Sequence, residues 1–263
     1  MGFSADWLAL RDPADRAARD GALALRAAAA AGPAPLVVDL GCGTGATWRA
    51  LAPLLPAGAR WRFVDNDADL LDLAAATAGP GVEVVQADLA DLDALPLDGA
   101  TLVTASALLD LVPLAWVEGL ARRLRGVPFY AALSYDGQMS WTPEDPRDGA
   151  VTDAFNRHQH GDKGLGPALG PDAAERAATV LAAAGFSVET ASSPWRLDPG
   201  MAALQRELTR GIAEAAAGAG AAEAEAWGRA RDAGADRSTC LIGHLDLLAL
   251  PPRQPSEAAH VLR

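Results

Sequence analysis

The chain has 263 residues, half of them hydrophobic and 21% charged, enough for one α/β domain with insertions or for two small domains. A formal net charge of −12 argues against a surface built to grip phosphate backbones, because that affinity comes from Lys and Arg, so no nucleic-acid partner is expected. The longest apolar runs are too short to span a bilayer, the N-terminus lacks a basic stretch before an apolar core, and Cys42 and Cys240 form no metal or disulfide spacing; a cytoplasmic protein with free thiols and no membrane partner is the expectation.

In chain order, Asp12 and Pro13 read as the cap and first position of a helix that runs through ADRAARDGALALRAAAAAG to Gly32. APLVVDL reads as a fully buried strand, and TWRALAPLLP, beyond a glycine-rich turn, as a helix. ARWRFVDND, GVEVVQADL, ATLVTASALL and VPFYAALSY read as four further strands, with ADLLDLAAATA and LAWVEGLARRLRG as helices among them. Such alternation with short connections predicts a parallel sheet covered on both faces. After Tyr135 a Gly-, Pro- and polar-rich stretch reads as one long functional connection. A helix and a strand (FSVETASS) follow, then an Ala-rich helical insertion from Met201 to about Asp236, and a last strand in STCLIGHLDLLALP. The expected organisation is a single domain: a helical segment at 1–33, a core at 34–196 and 238–252, an insertion at 197–237 that with the N-terminal helix covers the sheet's carboxyl edge as a lid, and a polar tail at 253–263.

The turn GCGTGA, Gly41 to Ala46, satisfies the dinucleotide pattern G-x-G-x-x-G/A, and Asp65 lies where that pattern places a ribose-binding acid. Asp39, two residues before the first glycine, has no role in holding a pyrophosphate and suits a ligand that carries positive charge. VVDLGCGTG resembles the first motif of the class I S-adenosylmethionine-dependent methyltransferases, an apolar run followed by [D/E]-x-G-x-G-x-G. FVDND and VVQADL are similar to that family's second- and third-strand ends. The resemblance implies a three-layer, doubly wound, mostly parallel seven-stranded sheet whose last strand is antiparallel, with helical lid elements. It also implies S-adenosyl-L-methionine as cofactor, held by Asp39, Gly41, Cys42, Gly43, Asp65, Asn66, Asp88, Leu89 and Ser106. In that set Asp65 offers two oxygens to two ribose hydroxyls, Asp88 and Leu89 flank the adenine, and the glycines, Gly45 included, clear room for the ligand. Helix capping is the competing role for Asp65.

Cofactor residues do not name the methyl acceptor. ASALLDLVP after the fourth strand lacks the Asn/Asp, proline and aromatic pattern of base-modifying enzymes, which together with the acidic charge favours a small-molecule acceptor methylated on O or N. Asp110 there either faces the site or caps the next helix. Tyr135, His158 and His160 in the long connection are the catalytic candidates, since a histidine near neutral pKa can take a proton from the acceptor; two solvated loop histidines are the competing reading. No metal is expected, and His244 reads as a core histidine or pocket wall. Arg11 or Arg19 meets the cofactor carboxylate or else pairs along the helix surface. A noncatalytic cofactor-binding sensor and a protein-modifying methyltransferase stay open as alternatives.

Overall fold

A computed structural model describes residues 3–252; the tail expected at 253–263 lies outside them. The elements run α1 (Ala5–Ala18), α2 (Gly21–Ala30), β1 (Leu36–Leu40), α3 (Ala46–Leu51), β2 (Arg60–Asp65), α4 (Ala68–Ala78), β3 (Val82–Gln86), β4 (Leu102–Ser106) and α5 (Leu114–Leu124). They continue as β5 (Phe129–Thr142), α6 (Asp148–Gln159), α7 (Ala173–Ala183), β6 (Ser187–Ser192), β7 (Trp195–Leu197), α8 (Ala202–Gly218), α9 (Ala224–Gly234) and β8 (Thr239–Leu250).

Every residue of β1 is buried, as an apolar strand at the centre of a parallel sheet must be. The strand order is β3-β2-β1-β4-β5-β8-β6, with β7 pairing a further stretch of β8. β8 runs antiparallel to β5, β6 and β7, and the remaining pairs are parallel. Alternation along β1 sends Val38 and Leu40 to a core shared with α5 and α7, and Val37 to a core shared with α2 and α4. The doubly wound, mostly parallel sheet implied by the sequence is therefore the observed one, with the short β7 as an addition.

Three local readings are corrected. The N-terminal helix is two helices. Ser4, not Asp12, caps α1, which carries Pro13 inside it. The chain breaks at Arg19 and Asp20, because the Asp20 N–H donates to the buried Asp246 carboxylate and its side chain caps α2 at Leu23.

The polar stretch after Tyr135 is not a loop. β5 continues to Thr142, pairing Met139 to Thr142 with Ile242 to Thr239 of β8, and the Asp136-Gly137 pair that reads as a turn sits in a register shift of that ladder. α6 follows, burying Val151 and Ala154.

The insertion forms α8 and α9. They pack with α6 and the outer ends of β5 and β8 around a third core that includes Trp141, Trp195 and Trp227. Residues 197–237 are absent from the lining of the cleft described next, so among the described helices α1 serves as its cover.

Candidate functional site

The cleft opens at the carboxyl edge of β1, β2 and β4, where the strand order reverses and open α/β sheets place ligands. It encloses about 880 Å³ including its open mouth. Gly41 to Thr44, Asp65 to Asp67, Leu70, Leu89 and Ser106 to Leu108 line it from the sheet side, and Phe3, Leu8, Arg11 and Asp15 line it from α1 and the residue before its cap.

The glycine loop provides clearance rather than donors. The Gly41 and Cys42 amides both go to the Val64 carbonyl, Gly43 donates to Asp65 Oδ2 at 2.9 Å, and Gly45 donates to the Cys42 carbonyl. A loop with four of its amides already spent has no row of free N–H groups with which to cradle a pyrophosphate. Gly43, at φ +53°, adopts a left-handed backbone, and a Cβ there would stand 3.1 Å from Leu8. Gly45 faces Ala74 of α4 and serves helix packing, not the cleft. Cys42 lines the cleft with a thiol whose pKa burial pushes up, so it fills space in the protonated form.

Asp65 ends β2 in the cleft wall, its carboxylate accepting from Gly43 N and, at 3.1 Å, from Asp67 N. Each oxygen keeps a lone pair, so the group both props the loop and remains able to accept hydroxyl donors. Helix capping falls instead to Asp67, which accepts from Asp69 N and Leu70 N. Asn66 and Leu89 line the cleft as well. Asp88 does not: it is exposed and bonds the amide of Ala90 in its own turn.

Asp39 lies beneath the loop and outside the cleft lining, wholly buried, with Oδ1 accepting from Thr104 Oγ1 at 2.7 Å and Oδ2 unpartnered. Direct ligand contact is thereby corrected to a supporting position. Burial raises its pKa to about 6 against the lowering hydrogen bonds of Thr104 and Thr47 and the Arg19 charge. Because the folded protein takes up this proton between 3.8 and about 6 while the unfolded chain does not, Asp39 costs stability as pH rises through that window, and the cost persists above it. Asp39→Asn is therefore expected to gain stability relative to wild type on going from about pH 4 to about pH 7.5, by on the order of 3 kcal/mol, as read by urea denaturation of both proteins at each pH. A pH-independent difference would mean that the carboxyl titrates normally.

Ser106, at the end of β4, lines the cleft, and its Oγ accepts from Arg19 Nη2 at 2.6 Å; Arg19 Nε and Nη1 are buried without partners. Arg11 pairs along the helix as expected, with Asp15 four residues on, but the pair is buried and not on the surface. Arg11 forms a two-pronged bond with Asp15 at 2.9 and 3.1 Å and stacks on Trp195 at 5.0 Å, while Trp195 Nε1 donates to Asp15. Asp12 and Arg49 latch α1 to α3, and Arg49 also bonds the loop carbonyl of Thr44.

The three catalytic candidates are not brought to the cleft. Tyr135 is buried on β5 and donates its hydroxyl to Asn156 Oδ1 at 2.8 Å, with a pKa raised first by burial. His158 and His160 are exposed at the end of α6, and Lys163 Nζ lies 3.3 Å from His158 Nδ1. They face outward because α6 buries its Val151 and Ala154 side. His244 is a core histidine on β8, outside the cleft lining, packed on Trp195 and Tyr135, its pKa lowered to about 3 chiefly by burial. Among the described residues no group of three metal-ligating side chains comes together. Spacing of Leu8, Arg11 and Asp15 along one helix face was the available signal for the cover, but only the fold shows what that face meets.

Fold and cleft together define a Rossmann-like α/β protein with a cleft at the carboxyl edge of its sheet. Residues 37–127 match the family model described as a methyltransferase domain. It is similar in fold to the YcgJ protein of Bacillus subtilis (17% identity, 88% of this chain and 98% of that one, TM-score 0.52). It is also similar to a cyclopropane-fatty-acyl-phospholipid synthase-like protein of Lactobacillus casei (12% identity, 95% of both chains, TM-score 0.56). No curated protein matches the sequence.

Proposed function

We propose that this protein transfers the methyl group of S-adenosylmethionine to an oxygen or nitrogen of a small-molecule acceptor in the cytoplasm. The observation that carries the acceptor size is the cover: α1 lies over the glycine loop and closes the cleft with Leu8, Arg11 and Asp15. That geometry admits a small organic molecule and leaves no open platform for a duplex, in keeping with the charge of −12.

The residues present fit the cofactor. Asp65 stands ready to accept the two ribose hydroxyls, Leu70 and Leu89 offer apolar walls to the base, and Ser106, polarised by Arg19, offers its hydroxyl to the amino-acid end. When bound, S-adenosylmethionine supplies a methyl carbon made electrophilic by the adjacent sulfonium. The chain's part is then to hold the acceptor in line and to exclude water under α1.

Calorimetry with S-adenosylhomocysteine and with NAD tests the cofactor assignment. Tight binding of the first and none of the second is expected, and Asp65→Ala should weaken the first by about 1.5 to 3 kcal/mol, the range for hydrogen bonds to a charged group. Unchanged affinity would remove Asp65 from the ribose. Incubating small-molecule extracts with methyl-labelled cofactor then identifies the acceptor; label recovered only in protein or nucleic acid would overturn the small-molecule reading.

A further inference from the structure

Two arginines of the α1 segment approach the cleft in different ways, Arg11 lining it and Arg19 reaching only its lining residue Ser106 from behind. Arg19, at the end of α1, is committed to Ser106 beside the glycine loop. Arg11 stands eight residues earlier on the helix, roughly 12 Å along its axis at 1.5 Å per residue. Among the described residues it is the one Lys or Arg in the cleft lining, which also includes the apolar side chains of Phe3, Leu8, Leu108 and Leu111.

Its guanidinium is fixed on one edge and one face. Nε and Nη2 both donate to Asp15, the plane stacks on Trp195, and Asp15 is itself held by the Trp195 indole N–H. Nη1 donates to no protein group and is not among the buried unpartnered atoms, so its donors remain accessible from the cleft that Arg11 lines. A pinned guanidinium with a free edge is a preorganised receptor for a carboxylate: the rotamer entropy is already spent, and the bond is charge-assisted. Asp15 does not compete for that edge, because its oxygens already accept from Arg11 and Trp195.

Building on the methyltransferase reading, we infer that the acceptor is an apolar carboxylic acid, anchored by its carboxylate on Arg11 Nη1 while another of its atoms receives the methyl group. An oxygen engaged by the guanidinium has its lone pairs occupied and is a poor nucleophile, so anchor and methylated atom differ.

The test uses benzoate, 4-hydroxybenzoate and decanoate, each beside its neutral amide, titrated into protein saturated with S-adenosylhomocysteine. At least one acid is expected to bind about tenfold or more tightly than its amide, as one charge-assisted hydrogen bond implies. Arg11→Gln should abolish that preference while leaving unchanged the preference for S-adenosylhomocysteine over 5′-methylthioadenosine, which lacks the amino-acid end. Amides binding as well as acids, or no acid binding below about 10 mM, overturns the inference in the wild-type protein alone, whether or not the variant folds. Collapse of the homocysteine preference in Arg11→Gln also overturns it, by giving Arg11 to the cofactor. Failure of S-adenosylhomocysteine itself to bind would instead sink the cofactor assignment on which the inference rests.

Discussion

Asp246→Ala is expected to lower stability by about 4 kcal/mol, because one wholly buried carboxylate satisfies three donors. Asp246 accepts from Asp20 N at 2.9 Å, from Tyr130 Oη at 3.1 Å and from Leu133 N at 2.9 Å. Leu133 has a φ of +59° and lies in the first register shift of the β5–β8 ladder, so its amide points away from the regular pairing and depends on this side chain. The Asp20 contact fixes the break between α1 and α2. Loss of Asp246 therefore loosens the α1 cover as well as the sheet. For a chain of this size such a change corresponds to a fall in melting temperature of roughly 8 to 16 °C. Urea denaturation checks it: a midpoint shift worth less than about 1 kcal/mol at unchanged slope would mean that the bulge is held by the ladder alone.

The sequence makes the left half of this fold readable for a physical reason. Strands buried on both faces become continuous apolar runs, as in LVVDL and LVTAS, and their helices carry local stop signals such as Gly79 after α4. The cofactor side is readable too, because the loop and the Asp65 that props it lie within one β-α-β unit. The outer half is less so. Asp136 and Gly137 are turn residues by chemistry, yet they occupy a bulge whose existence depends on β8, about a hundred residues later. α6 had a legible signal in Val151, Ala154 and Phe155 at helical spacing, and following it would have sent His158 outward. The Arg11–Asp15–Trp195 group joins α1 to a residue 180 positions away, a contact no local pattern encodes.

Asp110→Asn is expected to lower turnover on the identified acceptor by about 100- to 10,000-fold, the usual contribution of a general base, with affinity for S-adenosylhomocysteine unchanged within about twofold. With Tyr135, His158 and His160 away from the cleft, proton removal needs another group. Asp110 occupies the short turn Leu109–Leu111, between the lining residues Leu108 and Leu111 and itself just behind the cleft lining. That turn begins at Ala107, whose φ of +49° is a strained conformation of the kind found where a chain is aimed at a ligand. The carboxyl has a buried, unpartnered Oδ1 and forms no ion pair among the described residues. Burial raises its pKa to about 6, against its own backbone N–H and the charges of Arg11 and Lys163. A base near that value is ionised at neutral pH yet still basic enough to accept a proton in the transition state. The sign of the pH dependence follows. Because the ionised form is the active one, wild-type turnover should rise through about pH 6 and level above it, and the residual rate of Asp110→Asn should lose that rise. If the variant keeps turnover within about threefold and retains the same pH profile, with methyl transfer shown to be rate-limiting, the acceptor sheds its proton to water and the enzyme works by alignment alone.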